Sequence, residues 1–277
     1  MFENLAWNEI SVTLNGLTFL VEGKALPDNA PNSLWLYKDA GFIAEYKRFF
    51  SGHPELQVEN CVELGLWKGG SAVFWLELFN AKKLVGIDSN KEEGHPGLQD
   101  YIRSREARDR LRTYWCTNQA DQLRLLAIMQ EEFKGPLDLV IDDASHAYAP
   151  TKASFEVLFP LLREGGLYLI EDWPWQFSSH FRADFPASEP GLVPLISDLA
   201  ELLVAAPLLI QQIDIRRPFF ALQRGSLPAD EASPIMHRLW HEGATIKARE
   251  TAVLKASRLK RRLAGWIRSQ LRSSSHR

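Results

Sequence analysis

A regular alternation of short apolar runs with longer, more polar segments constrains the fold of this chain more than any other feature. The apolar runs have the length and composition of buried strands, and the segments between them have room for helices. This alternation predicts βαβ units, and therefore a sheet that is covered by helices on both faces. The predicted strands are Cys61–Leu64, Lys83–Asp88, Thr113–Thr117, Leu137–Asp142, Gly166–Glu171, Leu208–Arg216 and Phe219–Arg224.

The spacing of these strands indicates how they pair. The first five are separated by segments that can hold a crossover helix, so we expect them to be parallel. Leu208–Arg216 and Phe219–Arg224 are too close together for such a helix and should form an antiparallel pair. We therefore predict an α/β fold with a seven-stranded, mostly parallel sheet and an antiparallel last strand. In open sheets of this kind, ligands bind at the carboxyl ends of the strands.

The residues before the first βα unit predict a small N-terminal region. Ile10–Glu22 is strand-like and has Asn15-Gly16 at its centre, which is a hairpin signal. Leu34–Phe50 has an amphipathic pattern that ends before Gly52, so we predict a helix there. The predicted organisation has three parts: an N-terminal hairpin and helix over 1–52, the ligand-binding domain over 53–226, and a helical C-terminal extension over 227–277.

Composition narrows the class of protein. The 277 residues are 45% hydrophobic and 24% charged, as expected of a globular chain. Cys61 and Cys116 are the two cysteines, too few for a disulfide framework or a cysteine zinc site, so we expect a reducing, cytoplasmic location. The sequence contains no run of about 20 apolar residues, so we expect no transmembrane helix. The polar residues within Met1–Leu20 argue against a signal peptide.

The C-terminal extension differs in charge from the rest of the chain. Residues 247–277 contain ten lysines and arginines and one acid, which give this segment a charge of +9. Because the net charge of the whole chain is −3, the other residues carry −12. Leu259, Leu263, Ile267 and Leu271 recur every four residues, which predicts a basic amphipathic helix. This helix could contact a second subunit of a homo-oligomer, a membrane surface or nucleic acid, or it could dock on the acidic body.

A glycine-rich loop follows the first strand of the predicted sheet. In Gly65–Ser71 the glycines allow a tight turn and a close approach to a ligand, and the helix that follows offers free N–H groups. Glu63 lies at the strand end, where it could accept from a ligand's ammonium group. Asp88 ends the next strand, where an acid commonly accepts ribose hydroxyls. The loop lacks the G-x-G-x-x-G spacing of dinucleotide sites, and the glycines could instead serve only the turn.

Acidic residues and one histidine follow the next two strand ends. Asp142 and Asp143 end the fourth strand, and Glu171 and Asp172 end the fifth. Carboxylates that converge at one edge repel each other unless a cation neutralises them, and oxygen ligands suit Mg²⁺, or else Mn²⁺ or Ca²⁺. His146 could accept the proton of a hydroxyl held there. Alternatively, these acids could cap a helix and face solvent.

Four short motifs resemble one family. Glu63–Ser71 resembles motif I of class I S-adenosylmethionine-dependent methyltransferases, in the branch with macrolide sugar O-methyltransferases and cephalosporin hydroxylase-type proteins. Thr117–Asp121 is similar to that branch's Gly-Asp-Gln-Ser-Asp segment, which lies near the adenine. Asp143–His146 and Leu169–Asp172 resemble its Asp-Gly-Ser-His and Val-Ile-Glu-Asp signatures.

The resemblance implies a Rossmann-like fold, S-adenosylmethionine as cofactor and a divalent metal, for which Mg²⁺ is the expected ion. It implies Asp143, Glu171 and Asp172 as metal ligands, and His146 with Asp143 as catalytic residues. The residues predicted to bind the cofactor are Glu63, Gly65, Gly69, Gly70, Ser71, Asp88, Gln119, Asp121 and Asp142.

An aromatic segment follows the last acidic pair. Trp173–Phe177, with His180 and Phe181, could form a wall for a sugar ring or planar acceptor, or could be a packed loop. We therefore predict metal-dependent O-methylation of a hydroxyl on a sugar or small natural product, with a small-molecule or glycoside as acceptor. The alternatives are a hydroxylase-type or N-methylating enzyme on the same scaffold, a non-catalytic cofactor-binding protein and a nicotinamide-dependent oxidoreductase.

Overall fold

The computed structural model describes residues 2–21, 33–91, 95–178 and 189–241. Its strands are β1 (Ala6–Trp7), β2 (Ser11–Leu14), β3 (Leu17–Leu20), β4 (Leu34–Trp35), β5 (Asn60–Leu64), β6 (Lys83–Ile87), β7 (Leu111–Tyr114), β8 (Leu137–Asp142), β9 (Leu162–Glu171), β10 (Ile210–Ile215) and β11 (Phe219–Arg224). Its α-helices are α1 (Ala40–Ser51), α2 (Gly70–Phe79), α3 (Pro96–Ser104), α4 (Gln122–Glu132), α5 (Tyr148–Leu158), α6 (Val193–Ala205) and α7 (Ala229–His241).

The large sheet has seven strands in the order β10-β11-β9-β8-β5-β6-β7. Five adjacent strands, β9, β8, β5, β6 and β7, are parallel to one another, and β11 runs antiparallel to both β9 and β10. The predicted fold class and the predicted antiparallel pair are therefore confirmed. The order of strands along the chain reverses at β5 and β8, so the crevice at their carboxyl ends is the expected ligand site.

Helices cover both faces of this sheet, and β9 illustrates the arrangement. Tyr168 and Glu171 are three residues apart on one strand and therefore point to opposite faces. The Tyr168 ring packs 4.9 Å from Phe155 of α5. Glu171 accepts a hydrogen bond from the hydroxyl of Tyr46 on α1, and the Tyr46 ring lies 4.7 Å from Trp75 of α2.

The N-terminal hairpin is confirmed. β2 and β3 pair antiparallel, and the two turn residues, Asn15 and Gly16, have φ angles of 51° and 75°. A two-residue type I′ turn needs positive φ at both positions, which asparagine and glycine tolerate best. These strands belong to a separate four-stranded sheet with the order β1-β2-β3-β4.

The predicted helix over Leu34–Phe50 is wrong in its first part. Leu34–Trp35 forms β4, which pairs parallel with β3, and α1 begins only at Ala40. Asp39 sets this start, because its Oδ1 accepts a 2.7 Å hydrogen bond from the backbone N–H of Phe42 and thereby satisfies a free donor of the first turn. The stretch between β4 and α1 is consequently neither strand nor helix, and it reaches the sheet edge where ligands are expected.

Two compact units divide the chain, Met1–Ser233 and Pro234–Arg277. The division into 1–52, 53–226 and 227–277 stays a prediction. The basic helix predicted over 247–277 lies outside the described residues, as do His180 and Phe181. Within the ranges that are described, no helix is long and apolar enough to cross a membrane.

Candidate active site

A cavity of about 610 Å³ opens at the carboxyl ends of β5, β6 and β8. This volume lies within the roughly 300–1,000 Å³ typical of small-molecule sites. Four lining residues were predicted to bind a cofactor: Gly65, Ser71, Asp88 and Gln119. Three were predicted at the catalytic or metal site: Asp143, His146 and Asp172. The stretch before α1 adds Trp35, Leu36, Tyr37 and Lys38.

The glycines after β5 are required by contacts within the protein. A Cβ on Gly65 would lie 2.6 Å from the carbonyl carbon of Asp143, and φ at Gly65 is +85°. A Cβ on Gly70 would lie 2.5 Å from both the nitrogen and the carbonyl carbon of Trp35. These glycines therefore let two other backbone segments reach the loop, which is a reason that the sequence pattern does not reveal.

Asp88 holds the same loop in place. Its Oδ2 accepts hydrogen bonds from the backbone N–H groups of Leu66 (2.7 Å) and Trp67 (2.8 Å), and its Oδ1 accepts from Asn90 (2.7 Å). The side chain is buried but lines the cavity. This carboxylate therefore fixes the loop conformation beside any contact it makes with a ligand.

Glu63 is a fully buried acid with little hydrogen bonding. Within the described residues, neither Oε1 nor Oε2 makes a hydrogen bond of ordinary geometry, and Ser71 lies near enough to lower its pKa by a weaker hydrogen bond. Burial raises its pKa to about 8, against the opposing influence of the positive charge on Lys38. A buried carboxylate of this kind is costly unless a donor or cation reaches it.

Asp143, His146 and Asp172 form a cluster that could hold a metal ion. Each offers one ligand atom, and these atoms lie within 4.8 Å of one another. The Nε2 atom of His146 is 3.9 Å from Oδ1 of Asp143. Burial lowers the pKa of His146, and the negative charge of Asp143 opposes this shift.

Glu171, the third predicted metal ligand, lies behind this cluster and is fully buried. Lys38 bridges it to Asp143: the ammonium Nζ is 2.7 Å from Oε2 of Glu171 and 2.8 Å from Oδ2 of Asp143. Burial alone would lower the pKa of Lys38, but the two carboxylates raise it above its ordinary value. Lys38 is therefore a buried cation, and the hydroxyl of Tyr46 donates a further hydrogen bond to Glu171.

Asp142 faces away from this cluster, toward α5. It accepts hydrogen bonds from Gln119 (3.2 and 3.3 Å), Ser154 (2.9 Å) and Tyr168 (3.2 Å). Burial raises its pKa to about 7, although these hydrogen bonds oppose the shift. Gln119 in turn accepts from the backbone N–H of Ser145 at 2.9 Å. Asp142 therefore orients Gln119, and Gln119 both lines the cavity and holds the loop after β8.

Backbone strain concentrates around the cavity. Eight non-glycine residues in the described part of the chain have positive φ, and four of them line the cavity: Tyr37, Trp67, His146 and Asp172. Such conformations cost on the order of 1–3 kcal/mol each and cluster at functional sites. The ring of Trp175, from the predicted aromatic wall, lies 4.3 Å from His146, and Tyr37 lies 4.6 Å from Trp67.

Some site residues lie elsewhere, and some were missed. Asp121 caps α4, where its Oδ1 accepts from Arg124 N at 3.0 Å, and Gly69 lies under the Leu98 side chain.

Lys38 and Tyr46 were not predicted as site residues, because both fall in the segment predicted as one amphipathic helix. The available signal was Asp39, a helix-capping residue that places Lys38 outside the helix.

Comparisons with known proteins show what this chain is similar to. Residues 62–173 match a family described as a methyltransferase domain. Mycinamicin VI 2''-O-methyltransferase from Micromonospora griseorubida is 32% identical over 145 residues, which cover 48% of this chain and 33% of that protein. Demethylmacrocin O-methyltransferase from Streptomyces fradiae is 31% identical over 163 residues, which cover 56% and 37%. The chain thus spans about a third of the length of the curated relatives it matches.

A solved structure gives the same result. MycE methyltransferase from the mycinamycin biosynthetic pathway, in complex with Mg and SAH, aligns with a TM-score of 0.50 and 29% identity. The alignment covers 69% of this chain and 50% of that one. The resemblance seen in the sequence motifs is therefore confirmed: residues 62–173 match a methyltransferase domain within a Rossmann-like fold, and the chain is similar to macrolide sugar O-methyltransferases.

Proposed function

We propose that this protein is an S-adenosylmethionine-dependent O-methyltransferase that acts on a hydroxyl of a sugar or small natural product. The observation that carries the proposal is the cavity that brings Asp143, His146 and Asp172 beside the glycine loop after β5. The named relatives that methylate oxygen, two of them named for macrolide substrates or products, support the same reaction class.

The cofactor would lie along the loop after β5. Glu63 supports this placement, because a buried carboxyl group with a pKa of about 8 would ionise and gain a strong partner when an ammonium group binds beside it. Asp88 and Gln119 line the cavity, and they would contact the ribose and the adenine there. Among the remaining predicted residues, Gly65, Gly69, Gly70 and Ser71 would shape this loop. Asp142 would act by orienting Gln119, and Asp121 by capping α4.

A divalent cation fits the cluster at the end of β8. Asp143 and Asp172 each present an oxygen within 4.8 Å of the other and of a nitrogen of His146, and carboxylate oxygens suit Mg²⁺. His146 would then lie beside the ion and remain available as a base. Glu171, which is buried behind Asp143 and Asp172, would be the third ligand of the predicted set. When bound, a divalent ion would lower the pKa of a coordinated acceptor hydroxyl.

His146 would accept the proton of the acceptor hydroxyl. Because burial lowers its pKa, the imidazole is neutral at neutral pH, as a base must be. Asp143, 3.9 Å from its Nε2, would stabilise the imidazolium that forms. Trp175, packed against His146, would provide a wall for the acceptor ring, and methyl transfer then needs mainly alignment of the oxygen with the methyl group.

The cofactor is tested by titration calorimetry of the purified chain with S-adenosylhomocysteine and, separately, with NAD. We expect binding of S-adenosylhomocysteine only. Binding of NAD alone would contradict the proposal.

The reaction is tested by transfer of radiolabelled methyl to a panel of glycosides with Mg²⁺ or with EDTA. We expect His146→Gln to lower the rate by roughly 10²–10⁴-fold, as for loss of a general base, with unchanged affinity for S-adenosylhomocysteine. His53→Gln, which alters a histidine away from the cavity, is the matched control and should keep the full rate. Transfer that survives both EDTA and His146→Gln would rule out the metal and the base.

The remaining expectations concern location and partners. The two cysteines, buried Cys61 and exposed Cys116, are both free, which supports a cytoplasmic location. We also propose that the basic segment 247–277 contacts a second subunit, a membrane surface or nucleic acid. Deletion of the residues after Lys247 should change oligomeric state, liposome binding or RNA binding; if all three are unchanged, the segment has none of these roles.

A further inference from the structure

The carboxylates at the end of β8 and β9 already have a cation within the protein. Lys38 Nζ lies between Asp143 Oδ2 (2.8 Å) and Glu171 Oε2 (2.7 Å), and only 4% of the lysine side chain is exposed. Both acids belong to the predicted metal ligands. The ammonium group therefore already holds one oxygen of each of these two predicted ligands.

The backbone on both sides of Lys38 is fixed. On one side, the N–H of Leu36 donates a 2.9 Å hydrogen bond to the carbonyl of Leu20 in β3. On the other side, Asp39 caps α1. The lysine is thus held between a strand and a helix start, so its side chain reaches the carboxylates from a fixed point on the chain.

Asp143 divides its two oxygens between two neighbours. Oδ2 contacts Lys38, whereas Oδ1 faces Nε2 of His146 at 3.9 Å. A divalent ion at the cluster of Asp143, His146 and Asp172 would consequently lie beside the ammonium group, in a buried site where like charges repel strongly. An ion that also takes Glu171 as a ligand must displace the ammonium group from it.

We propose that Lys38 is a built-in counter-ion that competes with a divalent cation for Asp143 and Glu171. This inference rests on the proposed metal-assisted function and concerns its regulation. The lysine keeps the two carboxylates paired while no metal is bound, and it weakens metal affinity, so that the ion binds reversibly. Removing the lysine leaves the same oxygen ligands without a competing charge, which favours the divalent ion.

The test is direct measurement of Mn²⁺ binding to the full chain, with free Mn²⁺ counted by electron paramagnetic resonance. We expect Lys38→Met to bind Mn²⁺ at least tenfold more tightly than the wild type. Lys38→Arg keeps the charge and should bind like the wild type. Lys68→Met is the matched control, because Lys68 stacks on Trp35 and Trp67 at the cavity rim (4.2 and 4.6 Å), and its loss should change affinity by less than twofold.

Each outcome has one interpretation. If the wild type binds Mn²⁺ and Lys38→Met binds it equally or more weakly, Lys38 positions Asp143 for the metal and the competition is refuted. If neither protein binds Mn²⁺, the metal half of the proposed function fails as well, while S-adenosylhomocysteine binding still tests the cofactor half. If Lys38→Met is unfolded without metal, its thermal midpoint must rise with Mn²⁺ more steeply than that of the wild type; an unfolded protein at every Mn²⁺ concentration also refutes the proposal.

Discussion

Gly70→Ala tests whether a glycine of the loop after β5 serves packing within the protein or the approach of a ligand. The added Cβ would lie 2.5 Å from the backbone nitrogen and carbonyl carbon of Trp35, whereas ordinary contact begins at 3.4 Å. Gly70 has no positive φ, so backbone strain does not contribute. The carbonyl oxygen of Trp35 would lie closer still, so the Trp35 backbone must move by more than about 1 Å, since a backbone cannot rotate away as a side chain does.

The cost can be worked out from what that movement breaks. Overpacking of this kind costs roughly 1–3 kcal/mol, and displacing β4 weakens its pairing with β3 and the hydrogen bond from Leu36 to Leu20, worth about 1 kcal/mol. Alanine is favoured over glycine in a helix by up to about 1 kcal/mol, which offsets part of this loss. We expect a net loss of about 2 kcal/mol in the free energy of unfolding.

The assay is urea unfolding of the ligand-free chain, followed by tryptophan fluorescence. Gly135→Ala is the control, because its Cβ would meet no described atom closer than Asn60 Nδ2 at 3.9 Å, and it should change stability by less than about 0.5 kcal/mol. If Gly70→Ala costs no more than this control, the packing argument is wrong. Normal stability with lost affinity for S-adenosylhomocysteine would assign Gly70 to the ligand instead.

Two further predictions concern the α5 side of the sheet. Burial raises the pKa of Asp142 to about 7, above the roughly 3.9 of an unfolded chain, so the stability that its proton contributes is present below about pH 4 and is lost as pH rises through 7. Relative to Asp142→Asn, the wild type should lose on the order of 4 kcal/mol between pH 4 and 8 in urea unfolding; parallel pH profiles would contradict this. Phe155→Ala should cost about 3–5 kcal/mol, because this fully buried ring packs 4.5 Å from Phe159. Phe177→Ala, at a ring that is 70% exposed, should cost under about 0.5 kcal/mol, and equal losses in thermal melts would refute the packing argument.

Features that depend on local pattern were predictable from the sequence. The apolar runs of β5, β8 and β11 are buried along nearly their whole length, and composition alone distinguishes such runs from their surroundings. Asn15-Gly16 predicted its turn because few residue pairs tolerate two positive φ angles. The third strand was predicted two residues late, at Thr113 rather than Leu111, because Leu111 is its one buried residue and Arg112, which follows it, is exposed.

Features that depend on contacts distant in sequence were not predictable. The bridge from Lys38 to Asp143 spans 105 positions in the chain, and no local pattern marks the lysine as buried. The same holds for the neighbours of Asp142: its hydrogen-bond donors come from the loop before α4, from α5 and from β9, and no local pattern predicts them, while its contact with the cofactor stays a prediction. Sequence spacing indicates which edge of a sheet a side chain reaches, whereas its partner depends on how the elements pack.

The bridge made by Lys38 has a consequence for exchanging parts between related enzymes. Asp143 and Glu171 lie inside the segment 62–173 that matches the methyltransferase domain, whereas Lys38 and Tyr46 lie before it. A chimera that takes 62–173 alone would inherit two buried acids and lose the groups that pair with them. The smallest transplantable unit therefore starts ahead of β4, and any swap within it must preserve charge balance between two distant stretches of the chain.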